Sequence, residues 1–148
     1  MSLTVVISRP EVTEAVTRGA ARLWIALGWA PVAEFPLRNG RRADLLVLSP
    51  KGEFAIVEVK SSIEDYRCDR KWGEYAPFCD QFYFAVAPEF PREILPEEPG
   101  LIVADGFGGA ILRPSPVTPL AGARRKALTL GFARLAALRA LGAVAPAV

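Results

Sequence analysis

Three side chains that suit phosphate or metal chemistry lie within a short stretch of the chain: Asp44, Glu58 and Lys60. Carboxylate oxygens are hard ligands of the kind that Mg²⁺ and Mn²⁺ prefer, and a lysine amine supplies a positive charge or accepts a proton. The chain has two cysteines and no histidine. That composition excludes His-dependent acid–base catalysis, Ser/His and Cys/His nucleophilic sites and His-containing zinc sites. An active site here has to be built from carboxylates, Lys, Arg, Tyr and metal.

A predicted β-hairpin positions the two carboxylates. Two apolar runs rich in β-branched residues flank Ser49–Glu53, whose Ser, Pro and Gly suit a type I turn. A five-residue loop would leave Leu48 opposite Phe54. Counting four more residues along each strand then puts Asp44 directly opposite Glu58, on one face of the sheet. Side chains in such positions start only about 4.5–5.5 Å apart.

Lys60 lies two residues beyond Glu58, so strand alternation puts it on the same face. Like charges directly opposite each other are destabilising unless something offsets them, and a divalent cation would do so. From the residues alone, a surface ion cluster at the end of a sheet is an equally good interpretation.

The pattern Asp44…Glu58-Val59-Lys60 resembles the Asp…Glu-x-Lys signature of the PD-(D/E)xK, or restriction-endonuclease-like, nucleases. Ala43 stands where that signature usually has proline. A longer resemblance, to the MmcB-like family of bacterial DNA repair proteins, spans most of the chain. The stretches that are similar to it are Gly40–Asp44, Val57–Ser62, Asp69–Trp72, Cys79–Asp80 and Ala123–Lys126.

The resemblance implies an α/β fold: a restriction-endonuclease-like αβββαβ sandwich with a central mixed β-sheet flanked by helices. It implies a DNA repair-associated, metal-dependent nuclease that hydrolyses DNA phosphodiester bonds. Asp44, Glu58 and the backbone carbonyl of Val59 would then hold Mg²⁺ or Mn²⁺, and Lys60 would orient or deprotonate the attacking water. The length predicts one domain over residues 1–148, with residues 143–148 as a loose tail.

Two further acids are candidates for the site. Some nucleases of the resembled superfamily carry a metal-binding Glu on the first helix, and Glu14 lies on the helix predicted from the Ser8 cap; a solvated charge is the alternative. Glu34 lies on a predicted edge strand. A two-residue loop before the next strand would turn Glu34 away from Asp44, and a three-residue loop would put both on one face; the sequence leaves this open.

Basic and aromatic residues are candidates for contacts with nucleic acid. From Arg113 onward there are six basic residues and no acidic one, which favours contact with a phosphate backbone as much as it favours a solvated helix face. A helix predicted from Ser62 to Ala76 carries aromatic rings suited to stacking on bases, although Trp72 also suits a core contact. The candidates are Arg41, Arg42, Lys71, Trp72, Tyr75, Arg124, Arg125 and Lys126.

No apolar run approaches the roughly 20 residues that span a bilayer, and no signal peptide is recognisable, so the expected location is cytoplasmic. The expected partners are DNA and other DNA repair proteins, with no membrane, and the edge strand Val32–Leu37 offers a surface for a homodimer. Two other functions remain open: a non-catalytic DNA-binding repair accessory that retains the nuclease fold, and a metal-dependent hydrolase of small phosphoesters.

Overall fold

The computed structural model describes residues 8–68 and 72–142, which form a mixed six-stranded β-sheet with helices on both faces. The α-helices are α1 (Arg9–Ala26), α2 (Ile63–Cys68) and α3 (Gly122–Ala140), with 3-10 helices at Trp72–Phe78 and Arg92–Ile94. The strands are β1 (Ala30–Pro36), β2 (Arg42–Leu48), β3 (Phe54–Lys60), β4 (Gln81–Val86), β5 (Gly100–Ala104) and β6 (Gly109–Arg113). The candidate Lys71 and the predicted tail at 143–148 lie outside the described residues.

The strands are ordered β1-β2-β3-β4-β5-β6 across the sheet. β1, β2 and β3 pair antiparallel, β3, β4 and β5 run parallel, and β6 returns antiparallel to β5. The expected mixed sheet with flanking helices is therefore confirmed. Because β3, β4 and β5 run in the same direction, their C-terminal ends meet at one edge of the sheet.

Each face of the sheet has its own apolar core. α1 buries Val16 and Trp24 against one face, where Val57 and Val59 of β3 also pack. α3 and the 3-10 helix Trp72–Phe78 cover the other face, where Ile56 packs. Side chains alternate along a strand, so Glu58 and Lys60 lie on the face covered by α3.

The central hairpin has the predicted register, with Leu48 paired to Phe54 and Leu45 to Val57. The carbonyl of Ser49 accepts the N–H of Gly52 at 3.0 Å, which closes the predicted turn. Gly52 has φ of 87°, in the left-handed region that glycine adopts without strain.

The loop between β1 and β2 has three residues, because the N–H of Leu37 donates to the carbonyl of Arg41 at 2.8 Å and Phe35 pairs with Ala43. Glu34 on β1 therefore lies opposite Asp44 on β2 in the register of the two strands. Glu34 itself has φ of 52° and is exposed, so the strand is irregular at this point.

The prediction of one helix from Ser62 to Ala76 is wrong for the described residues. α2 ends at Cys68, and a 3-10 helix spans Trp72–Phe78. A 3-10 helix has three residues per turn, so Trp72, Tyr75 and Phe78 lie along one side, and all three pack on the core under α3. Tertiary packing thus selects the 3-10 geometry there.

The last helix begins at Gly122 rather than at the predicted Thr118. The carbonyl of Asp80 accepts the N–H of Thr118 at 2.8 Å, and its Oδ1 accepts the N–H of Leu120 at 2.9 Å. These bonds tie the segment to the start of β4 in an extended form. Helix formation is thereby delayed by one turn.

β1 lies at the edge of the sheet, as its proline predicts. The guanidinium of Arg139 on α3 donates to the carbonyls of Ala33 and Glu34, so part of that edge is bound within the chain. Within the described residues, no helix combines the length and apolar character needed to cross a bilayer.

Candidate active site

Asp44 and Glu58 meet at the edge of the sheet where β3 ends. The N–H of Asp44 donates to Oε1 of Glu58 at 3.0 Å, and the N–H of Val59 donates to Oδ2 of Asp44 at 2.7 Å. The paired register between β2 and β3 extends only to Leu45 and Val57. Beyond that pair, each carboxyl accepts a hydrogen bond from a backbone N–H of the opposite strand. Bonds to side chains therefore continue the pairing of the two strands.

Glu58 is 4% exposed, whereas Asp44 is half-buried. Burial first, and then the nearby charge of Asp44, raise the pKa of Glu58 to about 9, against the weaker opposing effects of the Asp44 N–H and Lys60. Glu58 therefore keeps its proton at neutral pH when nothing else offsets its charge.

An aromatic cluster accounts for the burial of Glu58. Phe84 of β4 is the register partner of Glu58. Tyr66 of α2 packs edge-on against Phe84, with ring centroids 5.8 Å apart, and Trp72 packs at 6.5 Å. These rings exclude water from the face of the sheet on which Glu58 lies.

Lys60 is the last residue of β3 and is also 4% exposed. Its partner in the sheet is Val86. A lysine this deeply buried is uncommon unless its charge is compensated. Its attraction lowers the pKa of Glu58, although less than burial raises it. An amine and two carboxyls thus share one sheet edge.

The two carboxyls fit a divalent cation in one respect. Burial and the nearby charge of Asp44 raise the pKa of Glu58, so that Glu58 holds a proton at neutral pH when no cation is bound. A cation would replace that proton and offset both charges. Mg²⁺ is usually held by one or two carboxylates together with waters and phosphate. No group of three or more His, Cys, Asp or Glu able to hold a metal occurs among residues 8–68 and 72–142.

The structure does not bring the additional acids into the cluster. Glu14 is exposed on α1, whose core lies on the face of the sheet opposite to Glu58. Glu34 lies opposite Asp44 in the register of β1 and β2, but its side chain is exposed.

The four candidates nearest the site differ in exposure. Arg42 is exposed at the start of β2, two residues before Asp44. The guanidinium of Arg41 forms an ion pair with Glu74 and lies 5.9 Å from the ring centroid of Tyr75. Tyr75 is 3% exposed and stacks on the core ring of Phe82, so its ring is not available to a base. Trp72 also packs on that core, as the alternative interpretation expected.

The basic cluster Arg124–Lys126 lies at the other end of β3. Nη1 of Arg125 donates to the carbonyl of Gly52 in the turn before β3, at 2.7 Å. Six residues of strand separate that end from Lys60, or about 20 Å. The guanidinium of Arg124 lies 4.3 Å from the ring centroid of Phe78, and Lys126 is exposed. The tertiary structure thus separates this cluster from the carboxylates.

Arg125 forms an ion pair with Asp80, a residue for which the sequence predicted no role in the site. Asp80 is 4% exposed, and its carboxylate accepts a hydrogen bond from each of the two terminal guanidinium nitrogens of Arg125. Burial alone would raise the pKa of Asp80, but Arg125 and the N–H groups of Phe54 and Leu120 together lower it. Arg125 therefore joins α3 to the start of β4 and to the turn before β3, and it is not one of the proposed DNA contacts.

A well-formed cavity lies away from the carboxylates. It is an apolar groove of about 540 Å³ between α3 and the end of β1, floored by Phe35, Phe78 and Leu135. The chemistry of the buried carboxyls and amine therefore locates the candidate site better than cavity size does.

The turn between β5 and β6, at the sheet edge where β3 also ends, presents an exposed aromatic residue that is not among the predicted site residues. Phe107, in the turn between β5 and β6, is 85% exposed. An aromatic residue between glycines in a turn was the available signal.

Residues 4–147 match the family described as DNA repair protein MmcB-like. A solved structure of a protein of unknown function from Silicibacter pomeroyi is 45% identical, with a TM-score of 0.83, and the match covers 86% of this chain and 88% of that one. The SfsA protein of Pyrococcus furiosus, solved in complex with Ca²⁺, is 14% identical over 62% of this chain and 56% of that one, with a TM-score of 0.32. A search of curated proteins finds no match. The match over nearly the whole chain places this protein in the MmcB-like family of DNA repair proteins.

Proposed function

We propose that this protein is a metal-dependent nuclease that hydrolyses DNA phosphodiester bonds at Asp44, Glu58 and Lys60. The observation that carries the proposal is the meeting of two carboxyls and a buried amine at one sheet edge, within a chain of a DNA repair family. Such a cluster has no role in filling a core, and buried charges are costly to keep without a function.

The order of elements supports a restriction-endonuclease-like fold. α1 is followed by three antiparallel strands, then by α2, and then by β4 parallel to β3. That is the αβββαβ order which the resemblance to PD-(D/E)xK nucleases implies. In that arrangement, Asp44 on β2 and Glu58 and Lys60 on β3 take the positions of the Asp…Glu-x-Lys signature.

The residues of the chain have separate tasks in this proposal. Asp44 and Glu58, with the carbonyl of Val59, would hold Mg²⁺ or Mn²⁺, with Glu58 binding as the deprotonated carboxylate. The bound metal would supply an activated water and offset charge on the phosphate. The amine of Lys60 orients that water or takes its proton. Arg42, exposed beside Asp44, binds a phosphate of the DNA backbone.

The test is cleavage of labelled single-stranded, duplex, flap, mismatch and junction DNA in Mg²⁺ and in Mn²⁺. We expect the wild type to cut at least one of these, and chelator or Lys60→Ala to abolish cutting. Lys51→Ala is the matched control, because Lys51 is exposed in the turn at the far end of the same hairpin. Equal cleavage by wild type and Lys60→Ala would refute the assignment.

One observation favours a second function, a non-catalytic DNA-binding accessory to other repair proteins. Both carboxyls already bind backbone N–H groups, and Glu58 keeps its proton at neutral pH without metal. A site of this kind that no longer binds metal would be stable as it stands. Salt-dependent DNA binding, with no Mn²⁺ binding and no cleavage of any DNA in the panel, would favour the accessory function.

A further inference from the structure

Phe107 is an unusual surface residue because its ring is exposed while its backbone is held firmly. Phe107 is 85% exposed in the turn between β5 and β6. Oδ1 of Asp105 accepts the N–H of Phe107 at 2.8 Å and that of Gly108 at 3.1 Å. The N–H of Asp105 donates back to the carbonyl of Gly108 at 2.9 Å. The turn therefore has a defined shape without any contribution from the phenyl ring.

Two side chains of α1 bind the backbone of the turn. Nε of Arg18 donates to the carbonyl of Gly106 at 3.1 Å, and Nη1 of Arg22 donates to the carbonyl of Phe107 at 3.3 Å. A Cβ added at Gly19 would lie 1.8 Å from the carbonyl oxygen of Asp105, so only glycine permits this close approach. Helix and turn thus form one rigid unit that presents the ring to solvent.

The charge around the ring suits an anionic partner. Two guanidinium groups, those of Arg18 and Arg22, reach the turn, and one carboxylate, that of Asp105, lies in it. An open depression of about 420 Å³ adjoins the ring and is floored by Val103 and Ala104. An aromatic ring beside cationic groups and an apolar recess matches the way proteins bind single-stranded nucleic acid, with bases stacked and phosphates neutralised.

The sheet places the turn that carries this ring at the same edge as the candidate active site. Lys60 pairs with Val86, and Val86 pairs with Val103, so the three lie in one row across the parallel strands. Two spacings between strands, roughly 10 Å, separate Lys60 from Val103. Phe107 follows Val103 by four residues, at the same edge. A nucleic acid strand a few nucleotides long spans that distance.

We infer that Phe107 stacks on an unpaired base of DNA and holds the strand across the sheet edge that carries Asp44, Glu58 and Lys60. The inference rests on the proposed nuclease function and names its substrate class: DNA with an unpaired base near the cut, such as a single strand, flap or junction. Duplex DNA offers no base face to the ring unless a base leaves the stack.

The test is the affinity for a fluorescent single-stranded oligonucleotide and for its duplex, measured by anisotropy in chelator so that nothing is cut. Phe107→Ala should weaken single-strand binding about 5- to 100-fold and leave duplex binding within roughly 2-fold, and Phe107→Trp should restore it. Leu141→Ala is the matched control, because Leu141, directly after the end of α3, is also an apolar side chain and is 87% exposed. A 2-aminopurine base in the single strand should be quenched by wild type and less by Phe107→Ala.

Several results would overturn the inference: no single-strand binding by the wild type, unchanged binding by Phe107→Ala, or an equal loss on single strand and duplex. The nuclease proposal is tested separately. If Phe107→Ala binds a single strand weakly although the wild type cuts no DNA, the stacking role stands and the nuclease proposal fails. If the wild type cuts DNA and Phe107→Ala binds a single strand as tightly as wild type, the nuclease proposal stands and the stacking role fails.

Discussion

Asp44 and Glu58 are linked across the hairpin by two hydrogen bonds: the N–H of Asp44 donates to the carboxyl of Glu58, and the carboxyl of Asp44 accepts the N–H of Val59, the residue after Glu58. The strands therefore stay joined where their ladder of backbone bonds ends. One oxygen of each carboxyl is anchored by these bonds, which restricts the orientation of the whole carboxyl group. This preorganised pair is the basis for the first three predictions below.

Replacing Asp44 with asparagine tests its role as a metal ligand. Asp44→Asn should reduce Mn²⁺-dependent DNA cleavage at least about 100-fold, because the amide lacks the charge that holds a cation. The fold should survive, since the amide oxygen still accepts the N–H of Val59. Glu97→Gln, an exposed residue outside the site, serves as the control in the same assay. Full metal-dependent cleavage by Asp44→Asn would show that the metal site lies elsewhere.

The raised pKa of Glu58 predicts how stability depends on pH in the metal-free protein. Between pH 4.5 and about 9, Glu58 is protonated in the folded chain and ionised in the unfolded chain. Unfolding then releases a proton, so stability should fall as pH rises through this window, by at most about 1.4 kcal/mol per pH unit.

Glu58→Gln removes that proton exchange while preserving the shape of the side chain. Urea unfolding in chelator from pH 5 to 9 should show Glu58→Gln gaining stability relative to wild type as the pH increases. Parallel pH profiles for the two proteins would mean that Glu58 is ionised in the folded state.

A divalent cation should stabilise the wild type, because it would replace the proton of Glu58 and offset the charges of both carboxylates. At a concentration 100 times the Kd, binding to the folded state alone adds about 2.7 kcal/mol to the free energy of unfolding. The Tm should therefore rise with Mn²⁺ in wild type and not in Asp44→Asn, with K⁺ at equal ionic strength as the control. Binding should also tighten as pH increases, since a proton is released. An equal rise in Tm in both proteins would place the cation at another site.

Asp80 and Arg125 should matter for stability and not for cleavage. Their ion pair joins the start of β4 to α3, and Asp80 is 4% exposed. Arg125→Ala should cost about 3 kcal/mol in the free energy of unfolding, because it leaves a buried carboxylate without its partner. Lys126→Ala, the exposed neighbour on α3, should change the free energy of unfolding by less than about 0.5 kcal/mol. Comparable effects of the two substitutions, measured by urea unfolding, would contradict the structural role.

Local sequence patterns determined the central hairpin. A turn with Pro50 and Gly52 fixes the register, and a register once fixed places every later pair on the strands. The juxtaposition of Asp44 with Glu58 followed from counting residues alone. The mixed sheet also follows from the order of apolar runs, because each run has the period and length of a strand or helix.

Tertiary structure decided what local patterns leave open. The three-residue loop after β1 set the register position of Glu34, and the exposure of Glu34 depends on its φ and on packing. Tyr75 became a core residue and Arg125 a partner of Asp80 because long-range contacts, which no window of sequence contains, supply those environments. The placement of Phe107 and Lys60 at one edge of the sheet likewise exists only in the folded protein, since 47 positions of chain separate these two residues.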